Sequence, residues 1–210
     1  MQLTLYDYFR STASYRVRIA LNLKSLSYEK KTVNLLKKED RGEQFRKINP
    51  QGLIPVLHVA SSNVDFYLYQ SMAICEWLDE QYPQPPLLGN DPQTRATVRS
   101  LCLILACDIH PLNNLRVQQY LEQELHCTEQ NKIAWMHHWM REGFITLEQL
   151  APEQGFLAKT STPSLADIFL VAQWYNALRF SLDCTPYPKL AAIVNTCCAL
   201  ESFSKAYPQE

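Results

Sequence analysis

The chain has 210 residues, 47% of them hydrophobic and 20% charged, with a net charge of −1. Those proportions are ordinary for a globular protein, and the length allows one large or two small domains, each with its own core. The charge gives no reason to expect a nucleic acid or a membrane surface as partner. The longest apolar run, residues 101–107, falls far short of the roughly 20 that a membrane span needs.

An apolar, strand-like opening holds Leu3, Leu5 and Tyr8, and it carries Asp7 and Arg10 but no apolar core of a signal peptide. Ser11 to Lys24 follows. Ser11, Thr12 and Ser14 cluster where a helix begins, and Val17, Ala20 and Leu21 recur at helical spacing between Arg16, Arg18 and Lys24. A strand feeding a hydroxyl-rich helix start gathers unpaired N–H groups, side-chain donors and the positive end of a helix dipole. Such a place either caps its helix or holds an anion, a thiolate among the candidates.

A second strand is expected over residues 28–34 and a polar helix over 39–47. Asn49-Pro50-Gln51-Gly52 then turns into a strand at Val56-Leu57. Ser61-Ser62-Asn63 turns into a further strand at 65–69, and a helix runs from Gln70-Ser71 to about Tyr82. The order is βαβαββα, a mixed sheet with one parallel crossover. Pro55 opens its strand, where a missing donor is tolerated. In the cis form it would leave the backbone of Ile54 open to an extended, peptide-like ligand; the trans form would be an ordinary turn.

Tyr82-Pro83-Gln84-Pro85-Pro86 reads as a stiff linker. Helical patterns fill the rest, through about 91–108, 112–126, 129–150, 164–180 and 187–201, and Ser164-Leu165-Ala166-Asp167 has the form of a capping box. The expected organisation is therefore an α/β domain at 1–82, a linker at 83–90 and an all-helical domain at 91–210. Seven cysteines, at 75, 102, 107, 127, 184, 197 and 198, form no CxxC pair and no zinc-ligand spacing with histidine. Reduced thiols, a cytoplasmic setting and no structural metal are expected.

In order, these pieces resemble the zeta class of the cytosolic glutathione transferases. The resemblance rests on Ser11-Thr12-Ala13-Ser14-Tyr15-Arg16-Val17-Arg18, on Asn49-Pro50-Gln51-Gly52-Leu53-Ile54-Pro55, and on Gln70-Ser71. In the second half it rests on Asp108-Ile109-His110-Pro111-Leu112-Asn113-Asn114-Leu115 and on Tyr175-Asn176-Ala177-Leu178-Arg179-Phe180. It implies a thioredoxin-like N-terminal domain, an all-α glutathione-transferase C-terminal domain, glutathione as cofactor and a homodimer. Apolar and aromatic residues such as Phe66, Tyr67 and Tyr69, if exposed, are candidates for the dimer interface.

The implied activity is glutathione-dependent cis–trans isomerisation of maleylacetoacetate, a diketo dicarboxylic acid. The alternatives are conjugation or dehalogenation of small electrophiles and a non-catalytic binding module. By resemblance, Ser11 and Thr12 are the catalytic hydroxyls, and Ser11, Ile54, Pro55, Gln70, Ser71, His110 and Asn114 bind the cofactor. His110 and Asn114, four apart, would share one helix face. Arg179, and Arg16 if it faces the cleft, would hold the substrate's carboxylates. For Arg179 a buried ion pair with Asp167 or Asp183 is the competing role. Where the class signature has cysteine this chain has Ala13, so any thiol chemistry belongs to the cofactor. Leu157-Ala158-Lys159-Thr160 stands where the class usually has Gly-Asp ahead of the capping box.

Overall fold

The structure is a computed structural model that describes residues 1–209. The chain divides into two compact units, Met1–Pro86 together with the chain from Leu200 onward, and Leu87–Ala199.

The first unit is built on a four-stranded sheet in the order β2-β1-β3-β4. β1 (Gln2–Asp7) lies inside it, parallel to β2 (Glu29–Thr32) and antiparallel to β3 (Val56–Ala60), which pairs antiparallel with β4 (Asp65–Tyr69). Because β1 is an interior strand, Leu3, Thr4 and Leu5 are all buried and no clean alternation results. β2, with the sequence Glu-Lys-Lys-Thr, is exposed throughout, a charged edge that resists pairing with another sheet.

α1 (Thr12–Leu23) makes the parallel crossover and α3 (Ser71–Gln81) follows β4. The buried Lys24, just past the end of α1, donates to Asp79 of α3 at 2.6 Å and to the carbonyls of Tyr82 and Pro85. One cation thus ties the ends of two helices to the proline-rich segment. The polar helix of the sequence is a single 3₁₀ turn, Glu39–Arg41, followed by α2 (Glu43–Ile48). Val33, Phe45 and Val56 form a small core there, with Tyr6, Ile48, Ile54, Tyr67 and Tyr69 packed against it. Tyr67 also stacks on His58 and Phe66 meets Trp77 edge-on. These aromatics are therefore spent in part on the unit's own packing.

The second unit contains α4 (Pro92–Leu103), α5 (Leu115–Gln123), α6 (Glu129–Leu150), α7 (Leu165–Arg179) and α8 (Pro188–Cys198). α7 is its axis and is buried from Leu165 to Trp174. The capping box forms: Asp167 Oδ2 accepts from the backbone N–H and the hydroxyl of Ser164, and Oδ1 accepts from the Leu157 N–H at 2.7 Å. Lys159 stands at φ 59° in the preceding turn, the left-handed region that a glycine would occupy more cheaply.

Three boundaries differ from the sequence reading. Leu87 and Leu88 are fully buried and Leu87 accepts from the Leu165 N–H, so the helical unit starts before residue 91. The last residues return to the first unit, where α9 (Glu201–Ser204) lies against α1; the Arg18 side chain donates to the Ala206 carbonyl and Asn22 to that of Ser202. Finally, α4 continues as a π-helical segment, Ile104–Ile109, and a 3₁₀ turn, His110–Asn113.

Candidate functional site

Ser11 is the N-cap of α1. Its backbone is extended (φ −70°, ψ 114°), its N–H donates to the Tyr8 carbonyl, and its hydroxyl oxygen accepts from the Ser14 N–H at 3.2 Å. One lone pair is thereby used while the proton can turn toward an incoming anion. Thr12, the first helical residue, is buried, and Ala13 is half-buried. Ser14 is fully buried and its hydroxyl has no hydrogen-bond partner, an open polar group in the first turn of the helix. Capping and anion-holding are thus compatible at Ser11.

The second element is the start of α3. Gln70 is its N-cap at φ 66°, ψ 120°, a backbone conformation that costs an ordinary residue on the order of 1–3 kcal/mol. Its exposed side chain donates to Gln51 at 3.0 Å, in the loop that ends in the cis Ile54–Pro55 peptide. Asn49 shapes that loop from within: its side chain donates to the Leu53 carbonyl at 2.6 Å and accepts from the Gln51 N–H. Gly52, at φ 62°, has no room for a Cβ, which would stand 2.9 Å from the Asp40 carbonyl oxygen. Tyr69 completes the brace by donating to the Ile48 carbonyl at 2.7 Å.

Arg16 joins the two helix starts. It is 2% exposed and donates to the Ser71 hydroxyl at 3.2 Å. This placement overturns the expectation of a cleft cation: Arg16 faces a side chain of its own unit, because α1 is covered on nearly all sides. The exposed arginine of this region is Arg10, which immediately precedes Ser11 and lies over the Phe9 ring.

Arg18, which has no role in the sequence reading, holds the loop before Ser11. Arg18 donates to Asp7 at 2.7 Å, to the Phe9 carbonyl and to Ala206, all from a buried position. The only sequence signal was an arginine two residues after Arg16 in the helix, which does not reveal acceptors in the preceding loop and at the far end of the chain.

In the second unit, His110 is half-buried and opens the 3₁₀ turn, while Asn114 is the N-cap of α5 and accepts from the Arg116 N–H at 3.1 Å. They do not share a helix face as expected, because the helical run ends between them; Asn114 is extended at φ −68°, ψ 150°. Arg179 is exposed at the end of α7 and lies over the Phe180 ring, 4.6 Å from its centre. Arg179 is thus not buried as the competing ion pair would have it, and Asp167 and Asp183 accept from Ser164, Leu157 and Thr185.

Burial pushes the Cys75 thiol, one turn beyond Ser71 in α3, up to about 12, so it stays protonated and inert. With alanine at position 13, neither helix start carries a reactive protein thiol. Among the described residues no cluster of three or more His, Cys, Asp or Glu is arranged to hold a metal. The arrangement can hold a ligand with two anionic ends and a peptide-like middle.

Residues 1–80 match the family described as glutathione S-transferase, N-terminal domain. The chain is 43% identical over 207 residues to the maleylpyruvate isomerase of a Ralstonia species, covering 97% of this chain and 96% of the relative. Its fold matches the holo structure of a bacterial maleyl pyruvate isomerase of the zeta class with a TM-score of 0.92 at 42% identity, over 98% of this chain and 96% of the other. It also matches the maleylacetoacetate isomerase of Anaeromyxobacter dehalogenans with glutathione in its active site, with a TM-score of 0.89 at 38% identity, over 99% and 95% of the two chains.

Proposed function

The chain belongs to the zeta class of the glutathione S-transferases, and from that premise we propose that it catalyses the glutathione-dependent cis–trans isomerisation of maleylacetoacetate. The observation that supports this most is the pairing of two hydroxyl-bearing helix starts in one unit, Ser11 on α1 and Gln70-Ser71 on α3, linked by Arg16. Glutathione has a thiol and carboxylates separated by a short peptide, and the donor-rich starts of α1 and α3 fit such a molecule. When bound, glutathione supplies a thiolate that adds reversibly to a double bond conjugated to a ketone, frees it to rotate and leaves unchanged.

The protein's task is to favour the anion. A free thiol titrates near 8.5. Ser11 donates its hydroxyl proton to the sulfur while the Ser14 N–H holds its oxygen in place, and Thr12 and the first N–H groups of α1 add donors and dipole. Gln70 and Ser71 receive the γ-glutamyl carboxylate at the start of α3, and the backbone of Ile54 beside Pro55 pairs with the cysteinyl part. His110 and Asn114 are further contacts for the cofactor. With its pKa lowered, the thiol ionises before the addition and its proton passes to bulk water, so no protein base is required.

The substrate's carboxylates call for cations. Arg179 is one, and the role first expected of Arg16 passes to Arg10, the exposed arginine next to Ser11. Arg10→Ala and Arg179→Ala should each raise KM for the keto acid about tenfold or more while leaving KM for glutathione within about twofold, the size of one lost charge-assisted hydrogen bond. Equal changes in both constants would remove the assignment. We further place the enzyme in the cytoplasm, in keeping with seven free cysteines, and as a homodimer, as the class implies.

The proposal is tested by following loss of maleylacetoacetate with and without glutathione, with maleylpyruvate run in parallel. Turnover that needs glutathione is expected. Turnover that proceeds without it, or no turnover of maleylacetoacetate, contradicts the proposal.

A further inference from the structure

Arg16 is buried between two helices and its Nη1 donates to the Ser71 hydroxyl at 3.2 Å. A serine oxygen has one proton to give and two lone pairs. With a guanidinium donating to one lone pair, the hydroxyl is polarised as a donor and its proton is directed away from the cation. Ser71 is the first helical residue of α3, so that proton and the N–H groups of the first turn would serve the same anion bound there. The positive charge of Arg16 also acts on this turn: it stabilises the thiolate form of Cys75, four residues on, against the dominant effect of burial. Arg16 is the fifth residue of the helix that Ser11 caps, so this one hydrogen bond links α1 to the start of α3.

We propose that Arg16 is a positioning residue for the carboxylate subsite: it acts through Ser71 to make the start of α3 selective for an α-amino acid carboxylate, and it touches neither ligand nor substrate. The inference rests on glutathione being the ligand. Lysine cannot take the place of Arg16, because its ammonium is a point charge without the planar fork that reaches across from α1.

The test compares glutathione with its analogue lacking the γ-glutamyl α-carboxylate, 4-aminobutyryl-cysteinylglycine, by calorimetric titration of the wild-type enzyme and of Arg16→Met, Ser71→Ala and the double variant. Wild type should prefer glutathione by about tenfold or more, and Arg16→Met should lose most of that preference while binding the analogue within about twofold of wild type. The effects of Arg16→Met and Ser71→Ala on glutathione should be strongly non-additive. If Arg16→Met weakens both ligands equally, or if the two substitutions add, the arginine is merely structural and the inference is overturned. Should Arg16→Met fail to fold, Arg16→Lys is titrated in its place; retention of the full carboxylate preference there overturns the inference equally. Failure of the wild type to bind glutathione at all is a different result, and it removes the proposed function itself.

Discussion

Ser11 caps α1 and is the proposed donor to the cofactor's sulfur, and the two tasks can be separated. Ser11→Ala removes both the cap and the thiolate donor: the cap costs about 1 kcal/mol of stability, and a hydrogen bond to a charged group is worth about 1.5–3 kcal/mol. The pKa of bound glutathione, read from thiolate absorbance against pH, should rise by about one to two units, and kcat/KM at neutral pH should fall by about ten- to a hundredfold. Ser11→Thr keeps both groups and should recover most of the loss. A second prediction concerns the protein's own thiols. Cys75 is buried, with its thiol pushed up to about 12, whereas Cys107 is exposed. Iodoacetamide at neutral pH should label Cys107 in the native protein and Cys75 only after denaturation, as read by peptide mass mapping, with glutathione-dependent activity unaffected by blocking Cys107. At this scale the sequence told which residue types gather, but not which way they face. Arg16 and Arg18 look alike in a helical pattern, yet one holds Ser71 and the other holds Asp7, Phe9 and Ala206.

The elements show which signals are local. Ser11, Asp91, Thr128 and Ser164 each begin a helix as their side chains predict, because a cap is decided within four residues. The π-helical run at Ile104–Ile109 was not legible, because it depends on packing against another helix, whereas the break at Asn114 has a local cause in its side-chain cap on α5. Gly143 of α6 leaves the space that the Ile109 side chain fills. Gly143→Ala should therefore cost about 1–3 kcal/mol through overpacking, measurable by denaturant unfolding. For the α7 box, Asp167→Ala strips the acceptor from three buried donors and should cost about 3 kcal/mol, a fall in Tm of about 6–12 °C. Burial pushes the Asp167 carboxyl upward despite those donors, so the folded protein holds this proton more tightly than the unfolded chain. The stability it contributes is thus greatest below the ordinary carboxylate range and declines as pH rises through its folded value. Asp167→Asn should remove that slope from a plot of Tm against pH.

For the whole molecule, the order of strands and helices was legible because turns, caps and prolines mark it, while the return of the C-terminus was not. The chain from Leu200 onward belongs with the first unit, burying Phe203 and Ala206 and giving Arg18 its third acceptor. Arg18 in turn holds the Phe9 carbonyl, two residues before Ser11. Ending the chain after Ala199 should destabilise the first unit by about 3–5 kcal/mol, the usual cost of losing a buried aromatic, and weaken glutathione binding measured by titration. The central claim is that the protein supplies hydroxyls and N–H groups while the sulfur is the cofactor's. It is tested most directly by the rate of maleylacetoacetate isomerisation in the wild-type enzyme with glutathione, with S-methylglutathione, and with no thiol. Turnover with glutathione alone is predicted. Turnover with the blocked sulfur, or with none present, would contradict the account.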